Sequence, residues 1–244
     1  MTVRVERRGA VSVLTIDRPE RRNAVDLRTL TLVHDALDAA ANRAARVVVL
    51  TGAPPAFCAG ADLTGVEGDE FAAALRAVLA ALTSMRAVTI AAIDGPALGA
   101  GTQLASACDL RVATPVSRFA IPAAKLGLMV DAWTVRRVTQ LFGGGAARAM
   151  LLAAEQYDAE AAHRCGFVQR IGDLTAALAW ADEIAALAPL SIAGHKLSLE
   201  RQSADGHPSD PDVDAAFAAV WSSRDAQEGP AAFLARRAPV FEGR

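Results

Sequence analysis

Apolar and polar positions alternate at the start of the chain, where Val3 and Val5, then Val11, Val13 and Thr15, flank Arg8-Gly9. A period of two predicts a β-hairpin, and Asp17-Arg18-Pro19-Glu20 ends it. Leu27, Leu30, Val33, Leu37 and Ala41 then follow helical spacing, as do Phe71, Ala74, Leu75, Val78, Leu79 and Leu82. Between these stripes, Val47–Leu50 reads as a strand buried on both faces, and Val88–Ile93 reads the same way. A helix is predicted from about Gly99–Gly101 to Cys108, with short strands at Leu110–Val112, Arg118–Ile121 and Phe167–Ile171. Beyond Trp133 the pattern is otherwise helical. From Pro189 three helical segments are expected, broken at Asp205-Gly206-His207-Pro208 and at Glu228-Gly229-Pro230. Strands alternating with helices imply an α/β fold with parallel strands and helical crossovers, and the hairpin adds antiparallel pairing.

Composition trims the functional classes. The 244 residues carry 25 basic and 27 acidic side chains, a balance that argues against nucleic acid. Of the 52% hydrophobic residues, 56 positions are alanine, so much of the apolar total is small side chains. No run of 18 apolar residues is present, so no membrane span is expected. Cys58, Cys108 and Cys165 are odd in number and far apart, which predicts neither a disulfide framework nor a zinc site and suits a reducing, cytoplasmic setting. His34, His163, His195 and His207 are scattered and read as solvated side chains. No metal site is expected. Phosphate-loop, dinucleotide and nucleophile-elbow motifs are missing as well.

Two loops share one construction. Ala56-Phe57-Cys58-Ala59-Gly60-Ala61-Asp62-Leu63 and Asp94 to Gln103 each leave a buried strand, pass through small residues and enter a helix. Ligands in open α/β sheets bind beyond the carboxyl ends of strands. Small residues there let a ligand oxygen approach backbone N–H groups at a helix start. Two such groups aimed at one carbonyl oxygen form an oxyanion hole. Ordinary tight turns account for the same spacing.

The CAGADL loop, the GPALGAGTQLASACDLRVA segment, the FAIPAAKLGL stretch and the closing EGPAAFLARRAPVFEG together resemble the enoyl-CoA hydratase/isomerase family, the crotonase superfamily. The likeness runs from the DRPERRNAV turn to the last residues. It implies a spiral core of ββα repeats over residues 1–188 and a helical region over 189–244 that forms a homotrimer or a dimer of trimers. It further implies a fatty acyl-CoA or enoyl-CoA ligand, with coenzyme A as part of that ligand and no separate cofactor. By motif position the thioester oxygen would be held by the amides of Ala61 and Ala100. Arg21, Arg22, Ala59, Ala61, Phe233 and Arg236 match CoA-binding positions, and Leu128 and Trp133 match the acyl pocket.

The chemistry departs from the pattern. Hydratases of the family use two glutamates where this chain has Gln103 and Ala123. A glutamine exchanges hydrogen bonds but takes up no proton at neutral pH, and alanine does neither. Ordinary hydration is therefore expected to be severely reduced, which resembles hydratase-like members regarded as acyl-CoA binders. Asp131 falls where some isomerases and dehalogenases of the superfamily place a catalytic aspartate, so a single-base isomerase is an alternative, as is a weak residual hydratase using water bound to Gln103. The bland alternative is that Asp131 caps the following helix. A structural subunit without ligand is the third class.

Overall fold

The computed structural model describes residues 2–62, 69–201 and 210–244. In chain order the elements are β1 (Val3–Arg8), β2 (Val11–Ile16), α1 (Leu27–Asn42), β3 (Val47–Gly52), α2 (Asp69–Ser84), β4 (Val88–Ile93), β5 (Pro96–Leu98), α3 (Ala100–Ala107), β6 (Leu110–Ala113) and β7 (Arg118–Ala120). There follow α4 (Ala132–Phe142), α5 (Gly144–Leu152), β8 (Tyr157–Asp158), α6 (Ala159–Arg164), β9 (Arg170–Ile171), α7 (Leu174–Ala185), α8 (Pro189–Glu200), α9 (Pro211–Trp221) and α10 (Arg224–Leu234).

The predicted hairpin is the antiparallel β1–β2 pair, and β2, β3, β4, β6 and β9 continue it as parallel neighbours in a six-stranded sheet. Every residue of β4 is buried, as its unbroken apolar run requires. A second sheet joins β5, β7 and β8. Its strands are two or three residues long, too short to carry a periodicity, and β5 and β8 escape the sequence reading. The two sheets reveal one repeated unit. After β3 the chain bridges Cys58 to Ala97 of the small sheet and later enters α2; β4 is followed by β5 and α3; β6 is followed by β7 and α4.

Two expectations need correction. The strand expected over Phe167–Ile171 contracts to Arg170–Ile171, because Phe167 is a core plug. Its ring stacks on Phe142 at 4.0 Å and meets Phe119 edge-on at 5.1 Å. The break expected at Glu228-Gly229-Pro230 lies inside α10. The chain turns instead before Ser223, whose hydroxyl accepts from the Ala226 amide at 3.1 Å. Pro230 already holds a helical φ and forfeits one bond, while Glu228 pairs bidentately with Arg237 and fixes the end of the helix. The predicted break at Asp205–Pro208, with His207, lies outside the described residues, as do residues 63–68.

Buried ionic groups join the late helices to the sheet. Lys196 of α8 donates to Asp109 at 2.7 Å and to the carbonyls of Leu82 and Ala87 at 3.0 Å each. The same Asp109 oxygen accepts from the amide and hydroxyl of Thr89. Arg111 is fully buried and pairs with no carboxylate among the described residues; its guanidinium donates to the carbonyls of Ala105, Cys108, Asp109 and Phe167. Burial pulls its pKa down to about 10. No single helix among the described residues is long and apolar enough to cross a membrane.

Candidate functional site

The two loops singled out by composition lie against each other. Cys58 N donates to Pro96 O at 3.1 Å, and Leu98 N donates to Cys58 O at 2.9 Å. Gly101 makes the approach possible: a Cβ there would stand 2.1 Å from Cys58 O. Gly99, the residue before α3, has φ +51° and ψ −114°, a conformation essentially reserved for glycine. It turns the chain so that Ala100 opens the helix.

The first loop is held from its other side. Val25 N donates to Gly60 O at 2.9 Å and Asp62 N donates to Val25 O at 2.8 Å, an isolated parallel bridge centred on Ala61. Successive amides of an extended chain point to opposite sides, so Ala61 N–H faces away from Val25. Ala100 N–H lies at the first position of α3, where no intrahelical acceptor exists. Among the described residues no acceptor is bonded to the amide of Ala61 or of Ala100.

The turn before these loops is more structural than its composition suggests. Asn23 is fully buried at φ 58°, and its amide donates to Ala53 O and Ala56 O at 2.6 Å each. Arg18 reaches Asp26 and Asp62, each at 3.1 Å. Burial alone would raise the Asp26 carboxyl, but bonds from Thr29 and the Arg18 charge outweigh it and lower the pKa. Arg21 and Arg22 are exposed and pair with no carboxylate among the described residues. Arg22 sits beside the first loop, because its carbonyl accepts from Ala59 N at 3.0 Å.

Around α3 the side chains are mostly apolar, and the buried Ser106 hydroxyl has no partner among the described residues. Gln103 is only 8% exposed, and its Nε2 donates to Thr134 Oγ1 at 2.8 Å. Thr134, in the first turn of α4, is fully buried. Its amide is capped by Asp131, whose Oδ1 accepts at 2.9 Å. The capping role of Asp131 is thus realised, and the exposed residue keeps its other oxygen. Ala123 lies in the short turn Pro122–Leu126 and offers a methyl group only. Cys58 is no nucleophile at neutral pH, since burial pushes its thiol up to about 12.

Trp133 packs against the core and borders a cavity of about 710 Å³ between α2, α8 and α9, lined also by Met85, Leu190, Leu197 and Val220. Leu128 is 57% exposed and does not line that cavity. Phe233 is exposed on α10, with Arg236 just beyond the helix, and neither is hydrogen-bonded to the two loops among the described residues. Sequence reasoning missed Thr134: a threonine one turn into a helix carries no signal until Gln103 is seen to reach it. His163, read as solvated, is exposed, and its Nδ1 also lies 2.8 Å from Val168 O.

Known proteins match this arrangement along nearly its whole length. A protein described as probable enoyl-CoA hydratase echA6 from Mycobacterium tuberculosis is 44% identical over 242 residues, covering 96% of this chain and 97% of the relative. The 2,3-dehydroadipyl-CoA hydratase of Escherichia coli is 35% identical over 254 residues, with 98% of each chain covered. An enoyl-CoA hydratase/carnithine racemase crystal structure from Magnetospirillum magneticum superposes with a TM-score of 0.91 at 29% identity, covering 100% of this chain and 96% of the other. The model of the enoyl-CoA hydratase/isomerase family matches residues 6–244, and the chain belongs to that family.

Proposed function

We propose that the chain binds fatty acyl-CoA or enoyl-CoA thioesters through the amides of Ala61 and Ala100, and that its hydratase turnover is weak or nil. The observation that carries this reading is that the Ala61 and Ala100 amides, on loops cross-linked through Cys58, Pro96 and Leu98, have no acceptor among the described residues. Two fixed donors bind a thioester oxygen without reorganising. Arg21 and Arg22, beside Ala59, supply charge for the CoA phosphates, and guanidinium groups bind phosphate bidentately. Phe233 and Arg236 would serve a neighbouring subunit. Exposed Phe217, Trp221, Phe233 and Leu234 on α9 and α10 favour assembly through residues 189–244 as a homotrimer or a dimer of trimers. Free Cys58, Cys108 and Cys165 fit a reducing compartment, so the cytoplasm is the proposed setting.

Hydration needs one group to activate water and another to deliver a proton. Losing each general acid or base costs about 10²–10⁴ in rate, and Gln103 and Ala123 replace both. Calorimetry with acyl-CoA esters of graded length, beside a crotonyl-CoA hydration assay, tests the reading. Binding with turnover at least 10²-fold or so below that of a two-glutamate relative is the expected result. Absence of binding at every length overturns it and favours a structural subunit. Isomerase activity is the second reading, favoured by the Asp131 oxygen left outside the cap. Asp131→Asn keeps a capping side chain but no base, so equal conversion of a 3-enoyl-CoA by both proteins rejects it.

A further inference from the structure

We infer that Arg18 is a positioning residue for the thioester site, its guanidinium heading two hydrogen-bonded peptide groups whose far end is the Ala61 N–H. This inference rests on the thioester reading above and adds what sets the direction and strength of one of its two donors. Arg18 Nη1 donates to Ala24 O at 2.5 Å. That carbonyl and the Val25 N–H belong to one peptide group, and Val25 N donates to Gly60 O at 2.9 Å. Gly60 O and the Ala61 N–H belong to the next. A peptide group is planar and trans, so its N–H points opposite to its carbonyl. Each bond in the series therefore aims the one after it, and holding Ala24 O holds the direction of the Ala61 N–H.

Hydrogen bonds in series also polarise one another, each gaining roughly 10–30%, and a charged donor makes the first bond roughly twice as strong as a neutral one. Arginine suits the head of such a series because its planar fork carries five donors. While Nη1 takes the Ala24 carbonyl, Nη2 meets Asp26 and Asp62 at 3.1 Å each. The side chain is 15% exposed, so water competes little for these bonds. The two carboxylates offset the guanidinium charge. What reaches Ala61 is thus direction and polarisation along the bonds, not a net positive field. The carboxylates also brace the fork. Asp26 caps α1 by accepting from Thr29 N at 2.7 Å, and Asp62, next to Ala61 in the chain, donates its own amide to Val25 O. Ala100 has no comparable head: Gly99 O accepts from Gln103 N at 3.0 Å, an ordinary helix bond. The two proposed donors are unequal in construction, and only Ala61 answers to a distant cation.

The test compares octanoyl-CoA with S-octyl-CoA, the thioether that lacks the carbonyl oxygen, by calorimetric titration of the full-length protein. The ratio of the two affinities isolates what the donors give that oxygen. The parent protein should favour the thioester about five- to hundredfold, and Arg18→Met should cut this preference about two- to tenfold. Arg18→Lys keeps a cation between the carboxylates, and with it the fold, but no planar fork; it lowers the ratio as well. Asp173→Ala removes the cap that accepts from the Ala176 amide at the start of α7, which destabilises the fold elsewhere and leaves the ratio unchanged. In the infrared, the bound carbonyl stretch, lowered by the donors, rises toward its free value in both Arg18 variants. A preference that both Arg18 variants retain overturns the proposal while leaving thioester binding intact, as does an equal loss in Asp173→Ala. A parent protein that binds the two compounds equally, or binds neither, removes the donor reading and this proposal together.

Discussion

Replacing Ala100 by proline removes one proposed donor without removing a bond the fold uses. Ala100 is the first residue of α3, and its amide donates to no described acceptor. Proline is favoured at a first helical position, where its fixed φ suits the helix and its missing N–H costs nothing. Gly99 carries no Cβ to clash with the ring. Ala100 is nonetheless buried, so the added ring carries the overpacking cost of a buried site, about 1–3 kcal/mol. Binding falls as well. A neutral amide–carbonyl hydrogen bond contributes about 0.5–1.5 kcal/mol net, so losing it weakens acyl-CoA affinity roughly two- to twelvefold. That is a lower bound, because the ring Cδ occupies the space the oxygen needs. Where any turnover exists, a charge-bearing enolate feels the loss more strongly, with a fall of about 10²–10³ in kcat. Calorimetry gives the affinity, and thermal melting gives the stability. An Ala100→Pro protein that folds and binds acyl-CoA as tightly as the parent refutes the donor assignment.

Three further outcomes are expected. Gly101→Ala forces a methyl to within 2.1 Å of Cys58 O, so the two loops must part; acyl-CoA binding is abolished and the melting temperature falls, whereas an unchanged melt contradicts the packing. Lys196→Met strands a largely buried carboxylate that keeps only its Thr89 bonds. The cost is about 3 kcal/mol, a drop of about 6–12 °C in melting temperature for a chain this long, and Lys196→Arg recovers little because the carbonyl cradle fits an ammonium. With burial pushing the Cys58 and Cys108 thiols up to about 12, and Cys165 exposed, a maleimide should label one thiol in the native protein and all three in denaturant; native labelling of Cys58 or Cys108 counts against their burial.

Periodicity carries what is long and one-sided. The β1–β2 hairpin, the stripes of α1 and α2 and the buried strands β3 and β4 all span enough residues for a period to emerge. The second sheet does not, since β5, β7 and β8 hold three, three and two residues, and tertiary pairing alone stabilises them. Phe167 reads as strand because an apolar residue inside an apolar run says nothing about which partner it will meet. Pro230 misleads for the opposite reason: a proline marks a break only where its lost bond has no substitute nearby. The two candidate loops are legible because their glycines and alanines respond to a backbone constraint, close approach, that leaves few alternatives. Gln103–Thr134 and Lys196–Asp109 are not legible, because each pairs residues 31 and 87 positions apart with no local signature.

The same distinction bears on the proposed reading, in which thioester binding persists without hydration. The proposed donors belong to the main chain, and their direction is set by a network that is almost entirely buried: Asn23 bridging Ala53 and Ala56, Arg18 spanning Asp26 and Asp62, and Cys58 clasped to β5. Altering any member disturbs the core as well as the site, so stability and the geometry of the amides are coupled. Proton-moving groups enjoy no such protection. Gln103 is a side chain on α3 and Ala123 lies in the turn Pro122–Leu126, and neither belongs to the main-chain network that orients the proposed donors. On the proposed reading, two side chains suffice to remove hydration, whereas removing the thioester grip requires breaking the spiral itself. On the proposed reading the fold and the ligand site are one object, and catalytic side chains would be additions to it.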